Sequence, residues 1–266
     1  MELYLLNYAD DRFGHKGGVY RQNQLHLNST ARQQGISNIV SWTWEDLIKT
    51  DFYKNHKTYL DKSRHENGVV WKPYIILDLL KKVEYGDIVF YCDCIPWGIK
   101  RSVQPLINLC VNNNGIVFQQ FGDKNSKWTK RDAFVYMNCD EPRYHEGVHL
   151  QSTWILFQKN NFNINFVEEW LQYNLDERIA SYRMPNTCGL PNLPGFIENR
   201  GDQSIFTNLA IKYHITTFNI TNNKNINEFI DLIPLCSLPE PVRWISKKIY
   251  NKLLRRFTVY GDRIAW

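Results

Sequence analysis

No stretch of this chain approaches the roughly 20 consecutive apolar residues that a membrane-spanning helix requires. The apolar run at the amino end, Leu3 to Leu6, is too short for a secretory leader and has no basic flank before it. A disulfide framework is missing too: the six cysteines (92, 94, 110, 139, 188 and 236) lie mostly inside apolar strings, as free thiols of a reducing, cytoplasmic compartment would. Cys92-Asp93-Cys94 has no second Cys/His pair at zinc spacing, which excludes a four-ligand structural zinc site. Positive charge is scarce except at one end. The net charge is +5, and residues 242–266 hold seven basic residues against Asp262 alone, so the rest of the chain is close to neutral. A general nucleic-acid binder would spread its charge over a broad face, and that class is excluded.

What is present suits one large globular core. A length of 266 residues fits a single α/β domain, and 43% hydrophobic with 22% charged residues is ordinary globular composition. Aromatics reach 14%, with nine tryptophans, which serves either a dense core or flat platforms for saccharides.

The pattern predicts a buried strand at Glu2 to Tyr8, a polar loop from Ala9 to Gly18, a helix over 20–34 with Gly35 just past its end, and a strand at Ile36 to Trp42. Thr43-Trp-Glu-Asp46 reads as an N-cap opening a short helix. From Trp71 the signal is clearest. Pro73 suits a first helical turn, and Ile75, Ile76, Leu79, Leu80 and Val83 recur at helical spacing. Gly86-Asp87 breaks that helix, and Ile88 to Cys92 is a continuous apolar strand ending on Asp93. Further strands are predicted at Gly115 to Phe121 and Ser152 to Gln158. Phe166, Val167, Trp170 and Leu171 mark an amphipathic helix. Residues 181–201 form a long Pro/Gly/Asn-rich loop that reads as a lid or acceptor wall. After it Asp202 caps a helix whose core stripe is Ile205, Phe206, Leu209, Ala210 and Tyr213.

In open α/β sheets, ligands collect where loops diverge at the carboxyl ends of strands, and Asp93 stands at such an end. An unpaired dry carboxylate is costly, so Asp93 either faces a cleft or caps the next turn. Around it the segment HENGVVWKPYIILDLLKKVEYGDIVFYCD (65–93) resembles GT-A-type glycosyltransferases of surface-polysaccharide clusters. So do KWTKRDAFVYMNCDEPRY (127–144), STWILFQKN (152–160) and LPNLPGFIENRGDQSIFTNLA (190–210).

The resemblance implies a GT-A-like single domain at 1–241, with a mostly parallel sheet flanked by helices, and a basic tail at 242–266. Asp93 matches the first aspartate of the family's DxD-type element, which holds Mn or Mg against the donor diphosphate. Position 95 is Ile, so the second carboxylate is absent. Lys72, at a helix start, is implied to pair with the diphosphate. Tyr8 and Asp10 would meet the base and ribose of the donor, although a core tyrosine is the plain alternative. Asp202 and Gln203 are implied to face the sugar as acceptor base or donor-sugar ligand, with Asn199 and Arg200 beside them. Trp128, Lys130, Arg131 and Asp132 would line the acceptor side, and His145 and His149 carry no assignment.

The tail reads as an amphipathic helix, with Ile245, Ile249, Leu253 and Phe257 spaced between basic residues. It suits either contact with an anionic membrane or docking on the body. The expectation is a UDP-sugar-dependent glycosyltransferase acting on a glycan or lipid-linked saccharide, cytoplasmic and peripheral to a membrane. The alternatives are a sugar nucleotidyltransferase, whose phosphate loop Gly14 to Gly18 only loosely matches, or an inactive glycan- or lipid-binding scaffold on the same fold.

Overall fold

In the computed structural model the described residues are 1–13, 19–63, 66–95, 98–99 and 101–218. Both Gly14 to Gly18 and the basic tail lie outside them. In chain order the elements are β1 (Leu3–Ala9), α1 (Val19–Gln33), β2 (Asn38–Thr43), α2 (Trp44–Leu47), α3 (Asp51–Leu60), α4 (Trp71–Lys82), β3 (Ile88–Cys92) and α5 (Gln104–Asn112). Then follow β4 (Ile116–Lys124), α6 (Arg131–Tyr136), α7 (Pro142–His145), β5 (Val148–Gln158), α8 (Asn161–Asn174), α9 (Glu177–Ala180) and α10 (Asp202–Lys212).

The five strands form one sheet in the order β2-β1-β3-β5-β4. Strands β2, β1 and β3 are parallel neighbours, but β5 enters antiparallel between β3 and β4, so the sheet is mixed rather than mostly parallel in its pairings. The helices α6 and α7 lie in the connection between β4 and β5, and β5 runs back antiparallel beside β4. Every residue of β3 is buried, as its unbroken apolar run predicts for a central strand covered on both faces.

Two cores flank the sheet. One gathers α4, α8 and α10 over Tyr91, Ile155 and Phe157; the other packs Leu27, Ala31, Leu106 and Cys110 against Leu5, Phe90 and Leu156. Local chemistry sets the boundaries. Thr43 and Asp46 form a reciprocal capping box on α2, and Gly35 takes φ +83° just past α1. The stripe of α8 is buried as expected, whereas Tyr213, predicted for the core stripe of α10, is 37% exposed just past the end of that helix. No helix among the described residues is long and apolar enough to cross a membrane. The five described cysteines are free thiols.

Candidate functional site

The carboxyl end of β3 meets the amino ends of two helices. The approach depends on two glycines. Gly68 (φ +57°) and Val69 (φ +59°) are both left-handed just before α4, and Gly201 (φ +49°) is left-handed just before α10. A Cβ on Gly201 would lie 3.1 Å from the Gly68 Cα, 2.8 Å from the Ala180 carbonyl oxygen and 2.3 Å from the Tyr182 ring. A Cβ on Gly68 would lie 2.6 Å from that of Ala180. Only residues without a Cβ let these backbones touch. A β-branched residue such as Val69 in left-handed backbone is a local strain of the kind that gathers at functional sites.

This contact brings together three residues that the sequence analysis singled out. The Lys72 ammonium lies 3.1 Å from Asp202 and 3.3 Å from Asp93. It also donates to the carbonyl and the hydroxyl of Ser152, at 3.2 and 3.1 Å. Ser152 in turn donates to Asp202 at 2.6 Å. The Tyr91 hydroxyl donates to Asp93, and Tyr182 lies 3.4 Å from the second oxygen of Asp202. Trp170 donates its indole N–H to the Asp202 carbonyl at 3.0 Å.

Lys72 is therefore not a solvated surface lysine. It is buried, and its donors are directed at two carboxylates and a serine. Burial pushes its ammonium down, but Asp202 and then Asp93 outweigh that, and the group is held above the ordinary lysine value. Burial followed by the Asp93 charge pushes the Tyr91 hydroxyl far up, so it remains a donor. Asp202 is also not the helix cap expected from its position. Gly201 occupies the N-cap, and the Asp202 side chain turns inward to Lys72. The side chain of Asp93 keeps 24% exposure, against 2% for Asp202, so Asp93 is the carboxylate facing solvent.

The other expected residues take different places. Tyr8 is a core residue: its ring stacks on Trp71 at 4.0 Å, and its hydroxyl donates to Asp10. Asp10 pairs with Arg12 at 2.8 Å, and the Arg12 guanidinium covers the Trp44 ring. Expected on the acceptor side, Lys130 and Asp132 are instead buried and tie down the loop at 181–201. Lys130 donates to the Met184 carbonyl, and Asp132 accepts from the backbone N–H groups of Thr187 and Cys188. Asn199 is wholly buried and pins the same loop through the carbonyls of Ile179 and Ser181. Arg131 and His145 both pair with Asp140. Arg200 pairs with Glu198 and lies over Trp128.

Ser152, Tyr91 and Tyr182 escaped the sequence reading. The period-2 alternation of a strand was the available signal for Tyr91, which shares a face with Asp93 two residues on. Nothing local marks Ser152.

Three ionic groups make this cluster one charge negative in sum. A nucleoside diphosphate beside it would need added positive charge, and a divalent cation fits that requirement. Asp93, the exposed carboxylate, is the residue that would hold it. Among the described residues no three His, Cys, Asp or Glu side chains gather as a metal site. Phosphate oxygens and water would complete the shell. No protein-family model matches the chain, and no curated protein matches it significantly.

Proposed function

We propose that the protein is a glycosyltransferase with a GT-A-like fold that moves a sugar from a nucleotide-sugar donor, in the first instance a UDP-sugar, to a saccharide acceptor. The observation that carries the reading is the convergence of Asp93, Lys72 and Asp202 at the carboxyl end of the central strand β3. All three were implied by the family resemblance, and they come from distant parts of the chain. Asp93 would hold a divalent cation, which would supply neutralising charge for the leaving nucleoside diphosphate. Lys72 acts one step back from the diphosphate, since its donors already hold both carboxylates and Ser152. It fixes the carboxylates in place. Asp202, buried with Lys72, Ser152 and Tyr182 on its oxygens, acts from behind Asp93 by holding Lys72 in place. The basic tail suits a lipid-linked acceptor presented at an anionic membrane.

The test is release of UDP from a panel of UDP-sugars by the full chain, with and without Mn²⁺. Asp93→Asn should lose activity by about 100-fold or more, the scale expected when one preorganised electrostatic group is removed. Its folding transition should stay near that of the unaltered protein. Full activity in this variant would refute the assignment, and pyrophosphate release from UTP and a sugar 1-phosphate, with no UDP released from any UDP-sugar, would favour a nucleotidyltransferase.

A further inference from the structure

The Lys72 ammonium has three N–H donors, and four acceptors surround it. The Ser152 carbonyl and hydroxyl lie at 3.2 and 3.1 Å, the Asp202 carboxylate at 3.1 Å and the Asp93 carboxylate at 3.3 Å. Ser152 donates its own proton to Asp202, so its hydroxyl oxygen is an acceptor toward Lys72. Ser152 and Asp202, both buried, therefore offer as many acceptors as the ammonium has protons. The contact to Asp93 is the longest of the four and the surplus one. It ties a buried cation to the carboxylate that keeps 24% side-chain exposure.

Asp93 has a second tie, and this one is not surplus. Its Oδ1, the oxygen that meets Lys72, also accepts from the Tyr91 hydroxyl. Tyr91 is wholly buried in the middle of the sheet, paired with Leu6 of β1 and Ile155 of β5. Close packing fixes such a ring, and the Lys72 ammonium lies over it at 5.2 Å. The Asp93 main chain is held as well, since its N–H donates to the Thr153 carbonyl at 2.8 Å. What is left to Asp93 is rotation of its side chain, and the Tyr91 hydroxyl restrains that rotation at one oxygen.

We propose that Tyr91 is a positioning residue for Asp93: by holding Oδ1 it limits Asp93 to binding a divalent cation through Oδ2 alone, while Lys72 gives up its surplus contact. Binding through one oxygen suits Mg²⁺, which demands near-octahedral geometry and keeps several waters. Binding through both oxygens suits the larger and more irregular shell of Ca²⁺. Tyr91 thereby sets a preference for the smaller ion. This inference rests on the reading of Asp93 as the cation ligand of a nucleotide-sugar enzyme.

The experiment is calorimetric titration of UDP into the full chain in Mg²⁺, in Ca²⁺ and in EDTA. UDP should bind tightest in Mg²⁺. Tyr91→Phe removes only the hydroxyl. It should weaken binding in Mg²⁺ about tenfold or more, the scale typical for loss of a group that orients a metal ligand. Binding in EDTA should stay unchanged, and binding in Ca²⁺ should not weaken. Equal weakening in all three media would make Tyr91 a packing residue and overturn the inference, with the donor reading intact.

Ser152→Ala provides a second variant. It leaves Lys72 three acceptors with Asp93 among them, so Asp93 is harder to release. UDP binding should then weaken in both cations and not in EDTA. An unchanged Kd in either variant would overturn the inference. So would UDP binding that is the same with and without cation in the unaltered chain, although the transferase reading would survive it. No UDP binding in any medium would bring down both.

Discussion

The Lys72 ammonium sits 3.1 Å from the Asp202 carboxylate, at the point where the amino ends of α4 and α10 come together. Both side chains are buried, so neither charge can turn to water if the other is removed. Removing one partner of such a pair characteristically costs about 3–5 kcal/mol. Lys72→Met should therefore lower the unfolding free energy obtained from urea titration by an amount in that range. Adding Asp202→Asn to it should recover part of the loss, because the orphaned carboxylate is then gone. Strict additivity of the two losses would show that the pair is not coupled. Since the Lys72 value is raised in the fold, its contribution is complete below the ordinary lysine value of 10.5 and fades only as pH rises through the raised one.

His149 titrates in the opposite sense. Its folded value is depressed to about 3 from 6.5, so the unfolded chain binds a proton between those limits that the folded protein refuses. Stability should be complete above pH 6.5 and fall by about 1.4 kcal/mol per unit as pH drops below it. His149→Phe should flatten that slope in denaturant titrations at stepped pH. An unchanged slope would mean that another group causes the acid sensitivity.

Gly201→Ala tests the helix contact directly. The new methyl would meet the Tyr182 ring, the Ala180 carbonyl and the Gly68 backbone, all at or inside close contact. The left-handed backbone adds its own strain. A loss of about 2 kcal/mol or more is expected, together with loss of UDP-sugar turnover as Asp202 is displaced. Gly189→Ala in the exposed loop also sits at positive φ (+77°) but meets no atom within 4 Å. It should cost less and leave turnover intact.

Asp132 holds the loop at 181–201 through the N–H groups of Thr187 and Cys188 and the Thr187 hydroxyl. Burial would raise its carboxyl, but these bonds and Lys130 keep it below its ordinary value. Asp132→Ala removes the acceptor of two part-buried backbone donors, at about 0.5–1.5 kcal/mol each, the net worth of an ordinary hydrogen bond. Limited proteolysis should then cut between Gly189 and Ile197 faster than in the unaltered protein. Equal rates would show that Asn186, Asn192 and Asn199 suffice to hold the loop.

The helices, the strands and the turn at Gly86 were legible because their causes are local. Apolar spacing at 71–83, the unbroken run at 88–92 and the capping box at Thr43 each lie within a dozen residues, and each produced the element expected. The antiparallel entry of β5 was not legible, because strand order depends on which edges are free when the chain returns. Nor were the roles of the charged residues. Lys130 and Asp132 look like any polar helix start, and only tertiary packing commits them to the loop at 181–201. Lys72 and Asp202 could be picked out singly, but the backbone contact at Gly68 and Gly201 decided that one lysine should hold two carboxylates. The chain by itself determined which segments are regular and which faces are apolar, since neighbouring residues set both. Tertiary structure decided which charges meet, because a buried charge takes its partner from whatever the packing brings within about 3 Å.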